Sequence, residues 1–177
     1  MPPALYIDPD TLDFEHPLAD IDAIRRVNPQ RYEMEQLTAI VRVDPAEGLI
    51  VAYKDVRLDE FWVRGHMPDF PLMPGVLICE AAAQLGSYYI MTQTPSAGDF
   101  MAFGGMDNVK FRGTVRPGDR LILASRMIDY RPSRRAIFSV QGIVNRALVF
   151  HGDLIGVPFS KREERAVQMV GQGASGP

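Results

Sequence analysis

The chain has 177 residues, 46% of them hydrophobic, and a formal net charge of −3. That is enough apolar material for one domain with a real core, and it excludes a disordered polyelectrolyte. An acidic chain offers no footing for nucleic acid, no apolar run reaches the ~18 residues of a membrane span, and no secretory leader is expected at the N-terminus.

Cys79 is the only cysteine, which excludes an internal disulfide and a multi-cysteine zinc site and fits a reducing cytoplasm. The histidines at 16, 66 and 151 are scattered, so no metal centre is expected. Charge is unevenly spread. Residues 1–24 hold six acids and no Lys or Arg, leaving 19 bases against 16 acids in the remainder. A mildly basic body suits an acidic partner, although solvation alone also accounts for it.

Residues 1–19, with four prolines and little periodicity, read as an arm lying on the surface. The segment ADIDAIRRV reads as a short helix with Asp20 or Asp22 at its start. Residues 36–44 and 48–58 are rich in β-branched residues and flank the turn Asp44-Pro45-Ala46-Glu47-Gly48, which predicts a hairpin. Pro68, Pro71 and Pro74 make 65–74 a loop. From Gly75 to about Met91 there is no proline, and the alanines and leucines favour one long helix. Strands are expected at 99–112, 120–130, 135–144 and 148–159, with Gly104-Gly105 marking a bulge or close backbone approach. The main domain is read as 20–160, and 161–177 as a polar, flexible tail. One nearly apolar helix needs cover on most sides, and a curved antiparallel sheet wrapped round it supplies that cover. The fold class is therefore α+β.

Two residues stand out against this background. Glu80 is the one charge between 76 and 85, on a helix otherwise expected to be buried. A charged carboxylate there is costly unless paired, and a carboxyl so placed suits proton delivery near neutral pH. Gln84 lies one turn on, within reach to orient it. His66 sits in the turn Gly65-His66-Met67-Pro68, where an imidazole can be aimed as a base. Gly75, at the helix start, offers a backbone N–H with the positive end of the helix dipole behind it, suited to a developing oxyanion. Alone, a loop histidine is more often a surface residue and a helix glutamate more often sits at an exposed edge. Base, acid and oxyanion donor within 15 residues form a set for proton abstraction beside a carbonyl.

These residues carry a resemblance. Gly65-His66-Met67-Pro68, Pro71, Met73-Pro74-Gly75-Val76-Leu77 and Glu80-Ala81-Ala82-Ala83-Gln84 keep the spacing of the G-H-F-P-x-x-P-x-M-P-G-V-L and E-A-x-A-Q motifs of the hot-dog-fold 3-hydroxyacyl-[acyl-carrier-protein] dehydratases. Weaker similarity in IRRVNPQRY and GMDNVKFRGTVRPGDRL extends it over roughly 20–158. The resemblance implies a hot-dog fold: a long central helix wrapped by antiparallel sheet. It also implies a homodimer with shared active sites, as a dimer or a trimer of dimers. His66 would take the C2 proton of a 3-hydroxyacyl thioester. Glu80 of the partner subunit would protonate the departing 3-hydroxyl, with Gly75 and Leu72 binding substrate and Gln84 behind the acid. No metal or other cofactor is implied, and the substrate would arrive on acyl carrier protein in fatty acid or related acyl-chain biosynthesis. Lys110, Arg112, Arg116 and Arg120 crowd one strand–turn–strand segment near the implied tunnel mouth and are weaker candidates for carrier docking.

A glutamate acid resembles the dehydratase-only branch; the branch that also isomerises the double bond carries aspartate. Departures from the motif are Met67 for Phe, Asp69-Phe70 beside the base, and Gln30 and Glu33 where His and Pro stand. No tyrosine falls at the tunnel-gating place near 100–103, where Met101 or Phe103 stands instead. Two other functions fit less well: a hot-dog thioesterase, and a non-catalytic carrier-binding subunit, which would need neither His66 nor Glu80.

Overall fold

A computed structural model describes residues 3–94 and 99–160. The expected tail at 161–177 lies outside the described residues. Six antiparallel strands form one sheet in the order β1-β2-β4-β5-β6-β3. They are β1 (Ala39–Asp44), β2 (Leu49–Asp55), β3 (Phe100–Phe111), β4 (Arg120–Arg131), β5 (Arg135–Val144) and β6 (Ala147–Phe159). A short helix α1 (Ile21–Val27) precedes them, and the long helix α2 (Gly75–Gln93) interrupts them after β2.

Local chemistry sets the boundaries. Asp20 caps α1 by accepting from the Ala23 N–H at 2.8 Å, one of the first-turn donors that has no partner inside the helix. The β1–β2 turn closes on Gly48 at φ +62°, and the β5–β6 turn on Asn145 and Arg146, both with positive φ, the geometry of a tight two-residue hairpin. β3 shifts register between Phe103 and Gly105, so the glycine pair marks a bulge, as the sequence indicates.

Helix α2 lies across the inner face of the sheet. Leu77, Ile78, Ala81, Ala82, Leu85, Tyr89 and Ile90 pack with Ile50, Ala52, Leu123, Phe138, Val140 and Phe150 into the main core. β2 is nevertheless buried at six successive positions. Side chains alternate along a strand, so Leu49, Val51 and Tyr53 point away from the helix. They join Ile122, Ala124 and Ile143 in a second cluster on the outer face.

The N-terminal arm covers that cluster. Ile7 is 6% exposed, and Leu5, Tyr6, Leu12 and Phe14 pack around it. The Phe14 ring meets Tyr53 edge to face at 5.2 Å. Buried Gln141 accepts from the Tyr6 N–H at 2.9 Å and donates to the Ala4 carbonyl at 2.8 Å, and the Tyr6 hydroxyl bonds Ser139. The arm is therefore a second layer on the sheet, not only a strap over it. Its prolines and broken periodicity conceal this in the sequence. Ile7→Ala is expected to lower unfolding stability by about 2 kcal/mol, as core truncations do. Denaturant melts of wild type and variant measure this, and an unchanged midpoint would mean that the arm contributes no packing.

Candidate active site

The loop from Val56 to Pro74 carries His66 and is tied down at several points. Trp62, 4% exposed, anchors it, and its carbonyl accepts from the N–H groups of Gly65 and His66 at 3.0 and 2.8 Å. Met67 and Phe70 exchange backbone hydrogen bonds, and the Met73 N–H reaches the Val115 carbonyl at 2.8 Å. Beneath the first part of the loop, buried Lys54 pairs with Glu60 at 2.7 Å.

The His66 ring is exposed, with Nδ1 at 2.8 Å from the Leu72 carbonyl. A carbonyl only accepts, so Nδ1 is the donor, and in the neutral ring the lone pair lies on Nε2. Leu72 thus reaches the site through its main chain. Its carbonyl sets the imidazole tautomer, and its N–H donates to the His66 carbonyl at 2.8 Å.

Helix α2 begins directly after Pro74, which provides no side-chain cap. The Gly75 N–H has no acceptor among the described residues. A Cβ at Gly75 would lie 2.7 Å from the Phe111 ring of β3, so glycine is required for helix and strand to meet. Around this helix start, Met67, Phe70, Val76 and Phe111 are all exposed, Val76 at 74%.

Glu80 is half-buried on α2, one turn in. Gln84, 2% exposed, donates to Glu80 Oε1 at 2.8 Å and to the Met34 carbonyl at 2.6 Å, while its own oxygen accepts from the Gln36 N–H at 2.9 Å. Gln30 adds a longer donation to the same Glu80 oxygen at 3.4 Å. Both amides converge on Oε1, which leaves Oε2 without an amide donor. The segment 28–36 is held by further bonds: the Asn28 amide to the Gln84 carbonyl, Arg31 to the carbonyls of Arg25, Asn28 and Gln30, and a two-pronged Arg25–Glu35 pair. Gln30, Asn28 and Gln36 have no role in the motif reading. Gln30 is visible there only as a departure in the Pro29-Gln30-Arg31-Tyr32 stretch.

In the single chain no hydrogen bond joins His66 to Glu80 among the described residues. The His66 ring is exposed on its loop, while the Glu80 carboxyl faces the 28–36 segment.

The four basic candidates differ in their surroundings. Arg120 grips Asp55 with two hydrogen bonds and lies over the rings of Phe14 and Tyr53, so it serves the outer layer. Arg116 stacks on Phe70 at 4.3 Å, beside the His66 loop. Arg112 donates to His151 Nε2 at 3.0 Å. Burial, then the Arg112 charge, pushes the His151 imidazole below its usual range, so it is neutral at pH 7. Among the described residues the side chains of Lys110, Arg112 and Arg116 form no salt bridge.

Residues 28–153 match the model of the FabA-like domain. The chain belongs to the FabA-like family. It is 39% identical over 114 residues to the 3-hydroxyacyl-[acyl-carrier-protein] dehydratase FabZ of Streptococcus gordonii, covering 64% of this chain and 80% of that protein. The FabZ of Streptococcus agalactiae is 38% identical over the same shares. Among solved structures, the dehydratase heterocomplex ApeI:P from Xenorhabdus doucetiae superposes with a TM-score of 0.66 at 15% identity, over 83% of this chain and 96% of that one. Cj0977, a sigma28-regulated virulence protein from Campylobacter jejuni, gives 0.60 at 19% identity, over 81% and 95%. These two fix the hot-dog fold and nothing further. The docked arm at 3–19 lies outside the matched range.

The Arg25–Glu35 pair has a pH signature. The Arg25 guanidinium holds the Glu35 carboxyl below its ordinary 4.5. A depressed carboxyl stabilises the fold fully above its unfolded value and loses that contribution as pH falls through the folded one. Glu35→Gln is therefore expected to be less stable than wild type at pH 7, with the gap closing as pH drops below 4.5. Thermal melts of both proteins across that window check it; a gap that is constant with pH would assign the loss to packing.

Proposed function

We propose that this chain is a hydro-lyase that dehydrates 3-hydroxyacyl-[acyl-carrier-protein] to the trans-2-enoyl form in acyl-chain biosynthesis. The observation that carries the reading is the site itself, on a chain similar to FabZ dehydratases over most of its matched length. It combines an imidazole with an open Nε2 and a half-buried carboxyl held on one oxygen by two amides.

In this reading His66 Nε2 removes a proton from C2. The C2–H electrons form the C2=C3 double bond, and the C3–O bond breaks. Glu80, through Oε2, delivers the proton that lets the hydroxyl leave as water. The Gly75 N–H, at the positive end of α2, receives the charge that develops on the thioester oxygen. Exchange with solvent then removes the proton from His66 and returns one to Glu80. The residues supply base, acid and oxyanion donor themselves, so the reading calls for no metal or resident cofactor.

The base and acid are proposed to come from different subunits of a homodimer. Two observations support this: the lack of a His66–Glu80 bond within one chain, and an edge strand β3 flanked by exposed Val76, Phe111 and Phe103. Laying a second copy on this face covers the edge and the apolar patch together. Acyl carrier protein is the proposed donor of substrate, with Lys110, Arg112 and Arg116 as its docking charges. Arg120 is left out because Asp55 already answers its charge. The proposed location is the cytoplasm; among the described residues no helix is long and apolar enough to cross a membrane.

His66→Ala and Glu80→Gln are each expected to keep the fold and lower dehydration by ~10²-fold or more, the usual scale of acid–base terms. Formation of the conjugated enoyl thioester, followed by its absorbance, measures this. Near-normal turnover in either variant removes that residue from the mechanism.

A further inference from the structure

Beyond Glu80, α2 presents a row of small residues to the sheet. Ala83 stands three residues on from Glu80 and Ser87 seven on, which places both on the face that carries the acid. Together with Gly86 they wall a narrow cavity of about 20 Å³ between α2 and strands β3, β5 and β6. Its far side is Met101, Phe103, Phe138 and Leu154. Gly86 keeps the floor open only just: a Cβ there would sit 3.2 Å from Leu154 and 3.3 Å from Phe138.

One polar side chain lines this cavity. Ser87 is 5% exposed, and its hydroxyl has no hydrogen-bond partner. A buried hydroxyl left unpaired is costly, and a helical serine has the carbonyl four residues back as an ordinary outlet, which this one does not use. The space is large enough for a single water, but a buried water wants about three polar partners, and no other side chain around the cavity offers one.

Resting on the dehydratase reading, the geometry points to a polar subsite in the acyl path. Ser87 pairs with an oxygen borne by the acyl chain itself, a hydroxyl or keto group on a carbon roughly 10 Å beyond the reacting C3, the rise of seven helical residues. The favoured substrate class is a 3-hydroxyacyl thioester with a second oxygen in mid-chain. The space admits one oxygen-sized group, and a plain alkyl chain running past its mouth leaves the hydroxyl unpaired. A site built to bond a substrate oxygen discriminates against the analogue that lacks it far more sharply than an apolar pocket discriminates by size.

The test uses the full chain and a series of 3-hydroxyacyl pantetheine thioesters of one length, with a keto group moved along the chain and an unsubstituted member as reference. Wild type is expected to favour one member over the reference by about tenfold in kcat/KM, and Ser87→Ala is expected to bring that ratio to near one. A flat series in wild type, or a preference that survives Ser87→Ala, overturns the subsite while dehydration of the reference upholds the activity. If no member is dehydrated, the activity reading fails instead. The subsite is then decided by equilibrium binding of the same thioesters, where equal affinity of wild type and Ser87→Ala for every member overturns it.

Discussion

A carboxyl on a buried, otherwise uncharged helix has to be held by something, and Gln84 holds it. Its amide donates to Glu80 and to Met34, and its oxygen takes the Gln36 N–H, so a single buried side chain fastens Glu80 to the segment that precedes β1. An amide is suited to this because it donates and accepts at once without carrying charge into the core. Gln30 repeats the donation to the same oxygen. The consequence is asymmetry: both amides converge on Oε1, and Oε2 accepts from neither of them. The Arg25–Glu35 pair and the carbonyl bonds of Arg31 keep the holding segment itself in place.

His66 is held by different means. Main-chain bonds shape the His66 loop, and the Leu72 carbonyl selects the tautomer that leaves Nε2 open. Gly75 needs closeness rather than a side chain, because a Cβ there would lie 2.7 Å from the Phe111 ring. A rigid scaffold makes these placements reproducible. The sheet is packed on both faces, by α2 inside and by the arm through Ile7, Tyr6 and Phe14 outside, so β2 and β4 have little freedom to shift under the loop that follows β2.

Much of the architecture was legible in the sequence because its signals are local. The proline-free run after Gly75 marked α2, the Asp44–Gly48 turn marked the first hairpin, Asp20 or Asp22 marked the start of α1, and Gly104-Gly105 marked a bulge or close approach in β3. What was hidden depends on partners far apart in the chain. The arm reads as surface because prolines break its periodicity, yet Tyr6 meets Gln141 and Ser139 across the sheet. Arg120 reads as a free base until Asp55 appears beside it in the neighbouring strand. Gln30 reads as a lost motif residue until the fold brings its amide to Glu80. Leu72 contributes through its carbonyl, for which side-chain identity leaves no trace.

The central claim is that one working site takes its base from one chain and its acid from another. Mixing inactive His66→Ala with inactive Glu80→Gln, with subunit exchange verified by native mass spectrometry, tests it most directly. Half of the dimers formed are then hybrids, each holding one intact site and one doubly disabled site. Dehydration is expected to return to about a quarter of the wild-type level, as two-fold symmetry requires. A fully exchanged mixture that stays inactive would contradict a shared site.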